Sequence, residues 1–304
     1  MSLITDANTP AVLFPGQGSH TSDMRDLVAH RDPDLLERCI ALVGEDPFPR
    51  ASDSTRFAQP AIFCASLAGW DALGVEAGAA AGHSLGELGA LVAAGVLERD
   101  DALRLVVLRG KLMAEADDVG SMLALIGASE EDAEAVAAAT GVTVANDNAP
   151  GQVVLSGPRD ALAKAEEAAR ERGRRTIPID VAGAFHSPSM EPAVEPFRAA
   201  LAEVELHEPA FPVFSCASTK PFEDVRAELA AALIRPVRWR ETVLAMHEAG
   251  ARRFIEVGPG KVLARLGKQI LPDCPVEIPD LSQAHSRGLT PRPGAATVPE
   301  HAHA

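Results

Sequence analysis

Short apolar runs alternate along the chain with longer stretches in which apolar residues recur at helical spacing. The run from Ala11 to Phe14 predicts a buried strand, which ends at the turn-forming pair Pro15-Gly16. Helical spacing follows from about Asp23 and again from Gln59-Pro60, which we interpret as a helix start. Alternation of strand, turn and helix is typical of a parallel α/β core.

The middle of the chain has a different order of predicted elements. Between about Met122 and Ala182 the order is β-α-β-β-α-β, the order of a ferredoxin-like unit. We therefore predict an α/β fold: a large, hydrolase-like parallel-sheet domain formed by 1–120 and 184–281, with a small ferredoxin-like domain inserted at 121–183. The segment 282–304 lacks apolar periodicity and is predicted to be a disordered tail.

Composition narrows the functional classes. The 304 residues are 47% hydrophobic, which is enough for a sizeable core, and the formal net charge of -15 argues against a nucleic-acid binder. No stretch approaches the roughly 20 apolar residues that span a bilayer, and no signal peptide is expected at the N-terminus. The 4 cysteines show no metal-ligand spacing, so we expect reduced packing cysteines, a cytoplasmic protein and no metal site.

Ser84 is the first candidate for chemistry. It stands in "AGHSLGE", where Gly82-His83-Ser84-Leu85-Gly86 matches the Gly-x-Ser-x-Gly pattern of a nucleophile elbow. Glycines on both sides allow a sharp turn, and the free N–H groups at the following helix start can hold a developing oxyanion. An N-cap serine beside turn glycines explains the same pattern without catalysis.

A serine hydroxyl needs a base, and His186 is the natural candidate. It lies in "VAGAFHSPSM", where the last predicted strand of the insertion returns to the large domain. Loops at such junctions often carry functional residues. An ordinary packing histidine before the Ser187-Pro188 turn remains the alternative.

Arg109 is the most informative residue for the substrate. It lies in the helical pattern "DDALRLVVLRGKLMAEA", and its neighbours three and four positions away are all apolar: Leu105, Val106, Leu112 and Met113. A guanidinium on a buried face stays charged and needs an anionic partner. That partner is either an internal carboxylate or a carboxylate of the substrate.

Six motifs occur in order: "FPGQGS", "GHSLGE", "VVLRGKLM", "NDNAPGQVVLSG", "AFHS" and "EVGPGKVL". On these motifs the chain closely resembles the malonyl-CoA:acyl carrier protein transacylases, and equally the free-standing acyltransferases of polyketide assembly lines. The resemblance spans about Ala11 to Leu271.

The resemblance implies a set of catalytic roles. Ser84 is acylated by the acyl-CoA, His186 is its general base, and the backbone N–H groups of Gln17 and Leu85 form the oxyanion hole. The histidine of this family is oriented by a main-chain carbonyl, here that of Ala232, rather than by an acid.

The resemblance also implies a substrate site made of Arg109, Phe185 and Gln59, in which Arg109 clamps the free carboxylate of malonyl. Phe185 is expected to crowd a 2-methyl branch, a discrimination worth about 1–3 kcal/mol. Malonyl-CoA is then a substrate, no cofactor is bound, and the partner is an acyl carrier protein of polyketide or fatty-acid synthesis, with no nucleic acid or membrane. An acyl hydrolase that uses the same Ser84 and His186 is the alternative.

Overall fold

The computed structural model describes residues 4, 6, 8–117, 119–274 and 276–279. The predicted tail at 282–304 lies outside these residues. Across the part of the chain that the structure describes, no helix combines the length and apolar character that crossing a membrane requires.

The described residues form a mixed α/β molecule with two separate sheets. In chain order the strands are β1 (Ala11–Phe14), β2 (Ala79–Gly82), β3 (Gly120–Ala128), β4 (Thr143–Ala149), β5 (Gly151–Pro158), β6 (Arg175–Ile179), β7 (Val213–Phe214), β8 (Phe254–Glu256) and β9 (Val276–Glu277). The α-helices are α1 (Met24–Arg31), α2 (Pro33–Val43), α3 (Thr55–Leu73), α4 (Gly86–Ala93), α5 (Arg99–Ala116), α6 (Glu130–Thr140), α7 (Arg159–Glu171), α8 (Glu191–Ala202), α9 (Val225–Ala231), α10 (Trp239–Glu248) and α11 (Val262–Ile270). Two 3-10 turns lie at Phe48–Arg50 and Pro188–Met190.

The larger sheet is parallel, with the strand order β7-β2-β1-β8-β9. Strands β1 and β2 are buried at every position, because helices cover both faces of a parallel sheet. Phe14 pairs with Gly82, so the carboxyl ends of β1 and β2 lie side by side. The loops that follow these two strands therefore start at the same edge of the sheet, where ligands of open α/β folds bind.

The smaller sheet is antiparallel, with the order β4-β5-β3-β6. With α6 and α7 it forms the β-α-β-β-α-β unit that the sequence predicts. One face of the sheet packs against these two helices in a separate hydrophobic core. The predicted fold class is confirmed. Strand β3 begins at Gly120, and the domain bounds 121–183 stay a prediction.

Strand β4 joins the smaller sheet to the rest of the molecule. The Asp147 N–H donates to the Val237 carbonyl at 2.9 Å, and the Val237 N–H donates to the Ala145 carbonyl at 2.8 Å. The Arg240 side chain adds ion pairs to Asp147 at 2.7 Å and to Glu130 at 2.9 Å. Backbone and side-chain bonds thus fix the position of β4 against the segment before α10.

Two details differ from the sequence predictions. Helix α3 begins at Thr55 rather than at Gln59-Pro60, because the Ser54 side chain caps it by accepting the Arg56 N–H. Pro60 lies inside the helix, where the loss of one backbone hydrogen bond is outweighed by burial of nearly the whole helix up to Trp70. Strand β9, two residues long, was not expected from the sequence.

Candidate active site

Ser84 occupies a tight turn between β2 and α4. Its φ of 53° lies in the left-handed region, which costs free energy for a residue with a Cβ atom. A Cβ on Gly82 would lie 1.9 Å from the Gly86 carbonyl carbon, and one on Gly86 would lie 2.1 Å from the Phe14 carbonyl oxygen. Both flanking positions therefore require glycine, and the turn holds the hydroxyl outward at the edge of the sheet.

His186 contacts Ser84 directly. Its Nε2 lies 2.9 Å from Ser84 Oγ, although the two residues are 102 positions apart. Its Nδ1 lies 2.9 Å from the Ala232 carbonyl oxygen and 3.0 Å from that of Arg235. Because carbonyls only accept, Nδ1 carries the proton and Nε2 is free to accept the serine proton.

The protonation state of His186 suits a base. Burial, followed by the nearby charges of Arg109 and His83, lowers the pKa of His186 to about 3. The imidazole is therefore neutral at neutral pH. A neutral imidazole in contact with a serine hydroxyl is the arrangement that general-base catalysis needs.

Arg109 lies on the buried face of α5, as its neighbours in sequence predict, and is only 4% exposed. Its Nη2 donates to Ser84 Oγ at 3.0 Å, and its Nη1 donates to Gln59 Oε1 at 2.8 Å. Within the described residues no carboxylate lies in ion-pair contact with it. Burial lowers the pKa of Arg109 to about 10, against the opposing charge of Glu87, so the side chain remains a cation at neutral pH.

Gln59 connects Arg109 to the loop after β1. Its Nε2 donates to Thr55 Oγ1 at 2.9 Å, and that hydroxyl donates to Gln17 Oε1 at 2.7 Å. Sequence reasoning missed Thr55. A residue four positions before Gln59 shares its helix face, but the predicted helix start at Gln59-Pro60 left Thr55 outside the helix.

Gln17 and Leu85 line the same cavity as Ser84. Among the described residues, neither backbone N–H donates a hydrogen bond to a protein acceptor. Leu85 follows Ser84 immediately, and Gln17 lies in the loop after the adjacent strand β1. Two unpaired donors beside a serine hydroxyl can stabilise an oxyanion.

The cavity has a volume of about 160 Å³ and lies between the two sheets. The larger sheet and its helices supply most of the polar wall, including Ser84 and Arg109, and Asn146 and Asn148 of β4 add to it. The smaller unit and the segment after it supply much of the apolar wall: Met122, Val154, Ile179, Val181 and Phe185. The structure thus brings together every predicted site residue around one cavity: Gln17, Gln59, Ser84, Leu85, Arg109, Phe185 and His186.

Two titratable residues near Ser84, the partly buried His83 and the buried Glu87, were quoted in the sequence motifs but given no role. His83 lies 2.8 Å from Asn148 Oδ1 of β4, and its ring packs against Trp239. Burial lowers the pKa of His83. Glu87 accepts the Cys216 N–H at 2.8 Å, and burial raises the pKa of Glu87 to about 7.

The described residues contain no group of three or more side chains arranged to hold a metal ion.

Comparison with known proteins identifies relatives over most of the chain. The family model of the acyl transferase domain matches residues 13–292. The polyketide biosynthesis protein ThaF of Burkholderia thailandensis is 35% identical over 95% of the chain, which spans only 26% of that protein. The malonyl CoA-acyl carrier protein transacylase of Escherichia coli K12 is 36% identical over 86% of this chain and 92% of its own. A malonyl-transacylase solved in complex with a type II PKS acyl-carrier protein superposes with a TM-score of 0.83 at 34% identity, covering 91% of this chain and 99% of that one.

Proposed function

This chain belongs to the acyl transferase domain family, and we propose that it moves a malonyl group from malonyl-CoA to an acyl carrier protein. The acceptor is the phosphopantetheine thiol of the carrier, and the group travels as an ester of Ser84. The transfer serves polyketide or fatty-acid synthesis, in keeping with the names of the relatives. The chain spans about a quarter of one of them, ThaF, so the other activities of that protein are not carried over.

The buried position of Arg109 beside Ser84 is the observation that carries the proposal. A buried guanidinium that points at the nucleophile without a contacting carboxylate is costly unless an anion arrives to pair with it. The free carboxylate of a malonyl thioester supplies that anion, and a bidentate pair would fix its reacting carbonyl beside Ser84. An acetyl group lacks the anion and gains nothing from Arg109.

In the first half-reaction, His186 Nε2 takes the proton of Ser84 while Oγ attacks the thioester carbonyl carbon. The N–H groups of Gln17 and Leu85 donate to the carbonyl oxygen as it becomes an oxyanion. The tetrahedral intermediate collapses, the C–S bond breaks, and His186 gives its proton to the departing sulfur, so CoA leaves as the thiol and His186 is neutral again. Ser84 is left as the malonyl ester.

The second half-reaction runs the same steps with the carrier thiol. His186 takes the thiol proton, the sulfur attacks the ester carbonyl, and the C–O bond to Ser84 breaks as the proton returns to Oγ. No further cofactor takes part. The apolar wall of the cavity limits water, which would otherwise hydrolyse the acyl-serine.

Gln59 and Phe185 complete the substrate site. Gln59 fixes one side of the Arg109 guanidinium, so the other side is aimed at Ser84 and the incoming carboxylate. Phe185, which is 5% exposed and lines the cavity, restricts the space beside the malonyl C2 atom. We place the reaction in the cytoplasm, because all 4 cysteines are buried free thiols, as a reducing compartment allows.

Intact-protein mass spectrometry after mixing with malonyl-CoA tests the proposal. We expect one added malonyl group on the wild-type protein, none on Ser84→Ala, and wild-type labelling on Ser189→Ala, a serine outside the cavity lining. Adding carrier proteins of the fatty-acid and polyketide types should then discharge the label onto the cognate thiol. Equal labelling of wild type and Ser84→Ala would contradict the mechanism, and release of free malonate despite a carrier would favour the hydrolase.

A further inference from the structure

The chain passes between the large and small units at two points that touch each other. It enters the small sheet through Gly120 at the start of β3 and leaves after β6 through Gly183. The Gly183 N–H donates to the Gly120 carbonyl at 3.2 Å. Both crossings therefore lie at one place, immediately before Phe185 and His186.

Asp117, which follows α5, holds both crossings with one carboxylate. Its Oδ1 accepts the N–H groups of Val119 at 3.0 Å and Gly120 at 2.8 Å. Its Oδ2 accepts the Ala184 N–H at 2.9 Å. The side chain is buried, so these bonds are shielded from competing water.

The turn held by Asp117 carries two active-site residues. Ser187 Oγ donates to the Ala184 carbonyl at 2.6 Å, which closes the turn over Phe185 and His186. A Cβ on Gly183 would lie 2.6 Å from Phe185 Cε1, so the Phe185 ring is packed directly on the crossing. The turn is thus fixed by Asp117 at its start and by the two carbonyls that hold His186 Nδ1.

We propose that Asp117 is a positioning residue, which acts through the Ala184 N–H to place Phe185 and His186 against Ser84 and so sets the width of the acyl cavity. The inference rests on the proposed function, because it concerns selection among acyl groups at that same site. Asp117 itself does not line the cavity.

The carboxylate is specifically required. Three N–H donors converge on two oxygens, and an asparagine offers one oxygen and an NH₂ group, which is itself a donor. Asp117→Asn can therefore keep the bonds to Val119 and Gly120 or the bond to Ala184, but not both sets. The volume of the side chain is nearly unchanged, so the variant tests the bonding pattern rather than the packing.

The experiment compares wild type with Asp117→Asn and with Asp32→Asn. Asp32 caps α2 at Leu35 and pairs with Arg99, and it does not line the cavity, so its variant controls for lost stability alone. Steady-state transfer to an acyl carrier protein from malonyl-CoA and from methylmalonyl-CoA gives kcat and KM for each thioester. Hydrogen exchange reports protection of the Ala184 amide.

In Asp117→Asn we expect lost protection at Ala184 and a malonyl kcat that falls about tenfold as His186 shifts from Ser84. The ratio of kcat/KM for malonyl over methylmalonyl should also fall about tenfold, the lower end of what one methyl group supplies. Asp32→Asn should keep both values. Should Asp117→Asn not fold, Asp117→Glu retains both oxygens one methylene further out, and a reduced ratio is again expected.

An unchanged kcat and an unchanged ratio in the folded Asp117 variant would overturn the positioning role. That outcome differs from failure of the proposed function, in which the wild-type protein itself takes no malonyl group. Equal loss of selectivity in Asp32→Asn would also overturn the proposal, because the effect would then follow stability alone.

Discussion

At the scale of single residues, the site is held by strained backbone as well as by hydrogen bonds. Ser84 and His186 are two of the three non-glycine residues with positive φ in the described part of the chain. Each left-handed conformation costs about 1–3 kcal/mol, and such strain concentrates at active sites. The surrounding turns keep both side chains in the one orientation in which they meet.

Arg109→Ala should separate malonyl from acetyl transfer. Loss of a charge-assisted hydrogen bond worth about 1.5–3 kcal/mol predicts a fall in kcat/KM for malonyl-CoA of about 10- to 150-fold. Acetyl-CoA, which has no free carboxylate, should react as well as before or better. Steady-state kinetics with both thioesters measure the difference.

Arg104→Ala is the matched control, because Arg104 lies on the same helix but is exposed and paired with Asp101. It should leave both rates unchanged. Equal losses for malonyl and acetyl groups in Arg109→Ala would instead assign Arg109 a structural role.

The pH dependence of acylation should also respond to Arg109. The cation lowers the pKa of His186, so its removal raises that pKa, and protonation then blocks the base at a higher pH. We expect the acid limb of Ser84 acetylation to move upward in Arg109→Ala and to stay in place in Arg109→Lys. A Glu87→Gln background removes a carboxyl group whose pKa of about 7 would otherwise add its own titration near the site. Identical acid limbs in all variants would contradict the effect of Arg109 on His186.

The sequence predicted these residues to different degrees. The burial of Arg109 followed from its four apolar neighbours, because helical spacing alone determines the face on which a side chain lies. The hydrogen-bonded chain from Arg109 through Gln59 and Thr55 to Gln17 did not follow, since it joins side chains up to 50 positions apart. The contact between the Arg235 carbonyl and His186 could not be predicted either, because it also joins residues that are far apart in the sequence.

At the scale of elements, the junction of β1, β2 and α4 depends on glycine. Gly82→Ala should destabilise the protein by more than about 3 kcal/mol, because its Cβ would collide with backbone of the Ser84 turn rather than with a side chain that can move. Labelling of Ser84 by malonyl-CoA should be lost with it. Urea unfolding and mass spectrometry measure the two effects.

Gly44→Ala provides the comparison. Gly44 ends α2 with a φ of 88° and has open space around its Cβ position, so only the left-handed strain of about 1–2 kcal/mol is expected. Ser84 labelling should remain at the wild-type level. Similar losses for the two variants would show that the close approach at Gly82 is unimportant.

Sequence patterns predict the order of the elements better than they predict where each element begins or ends. The elbow and the β-α-β-β-α-β order were predictable, because each depends on local glycines or on alternating periodicities. The start of α3 was misplaced, because a proline is a common helix-start signal and Ser54 is a less conspicuous cap. Strand β9 exists only because Val276 and Glu277 pair with β8, a tertiary contact without a local signature.

At the scale of the whole molecule, Arg240 links the two units. Arg240→Ala leaves the buried Asp147 carboxylate without its cation and should lower the free energy of unfolding by about 1–3 kcal/mol. The rate of amide hydrogen exchange should rise first along β4, which this ion pair holds.

Arg238→Ala is the control, because it removes only a half-exposed ion pair with Glu241. It should lower the free energy of unfolding by at most about 1 kcal/mol. Equal effects of the two variants would contradict a linking role for Arg240.

The contact between Gly120 and Gly183 bears on how the smaller unit could be exchanged for another. Because a hydrogen bond joins Gly183 to Gly120, the chain leaves the larger unit and returns to it at one place. A foreign insert has to match this one chain junction and the contacts of β4 with Val237 and Arg240, while the scaffold that holds Ser84 keeps its path. Exchange of the segment between the two glycines would therefore replace much of the apolar wall of the cavity and leave the turn that holds Ser84 unchanged.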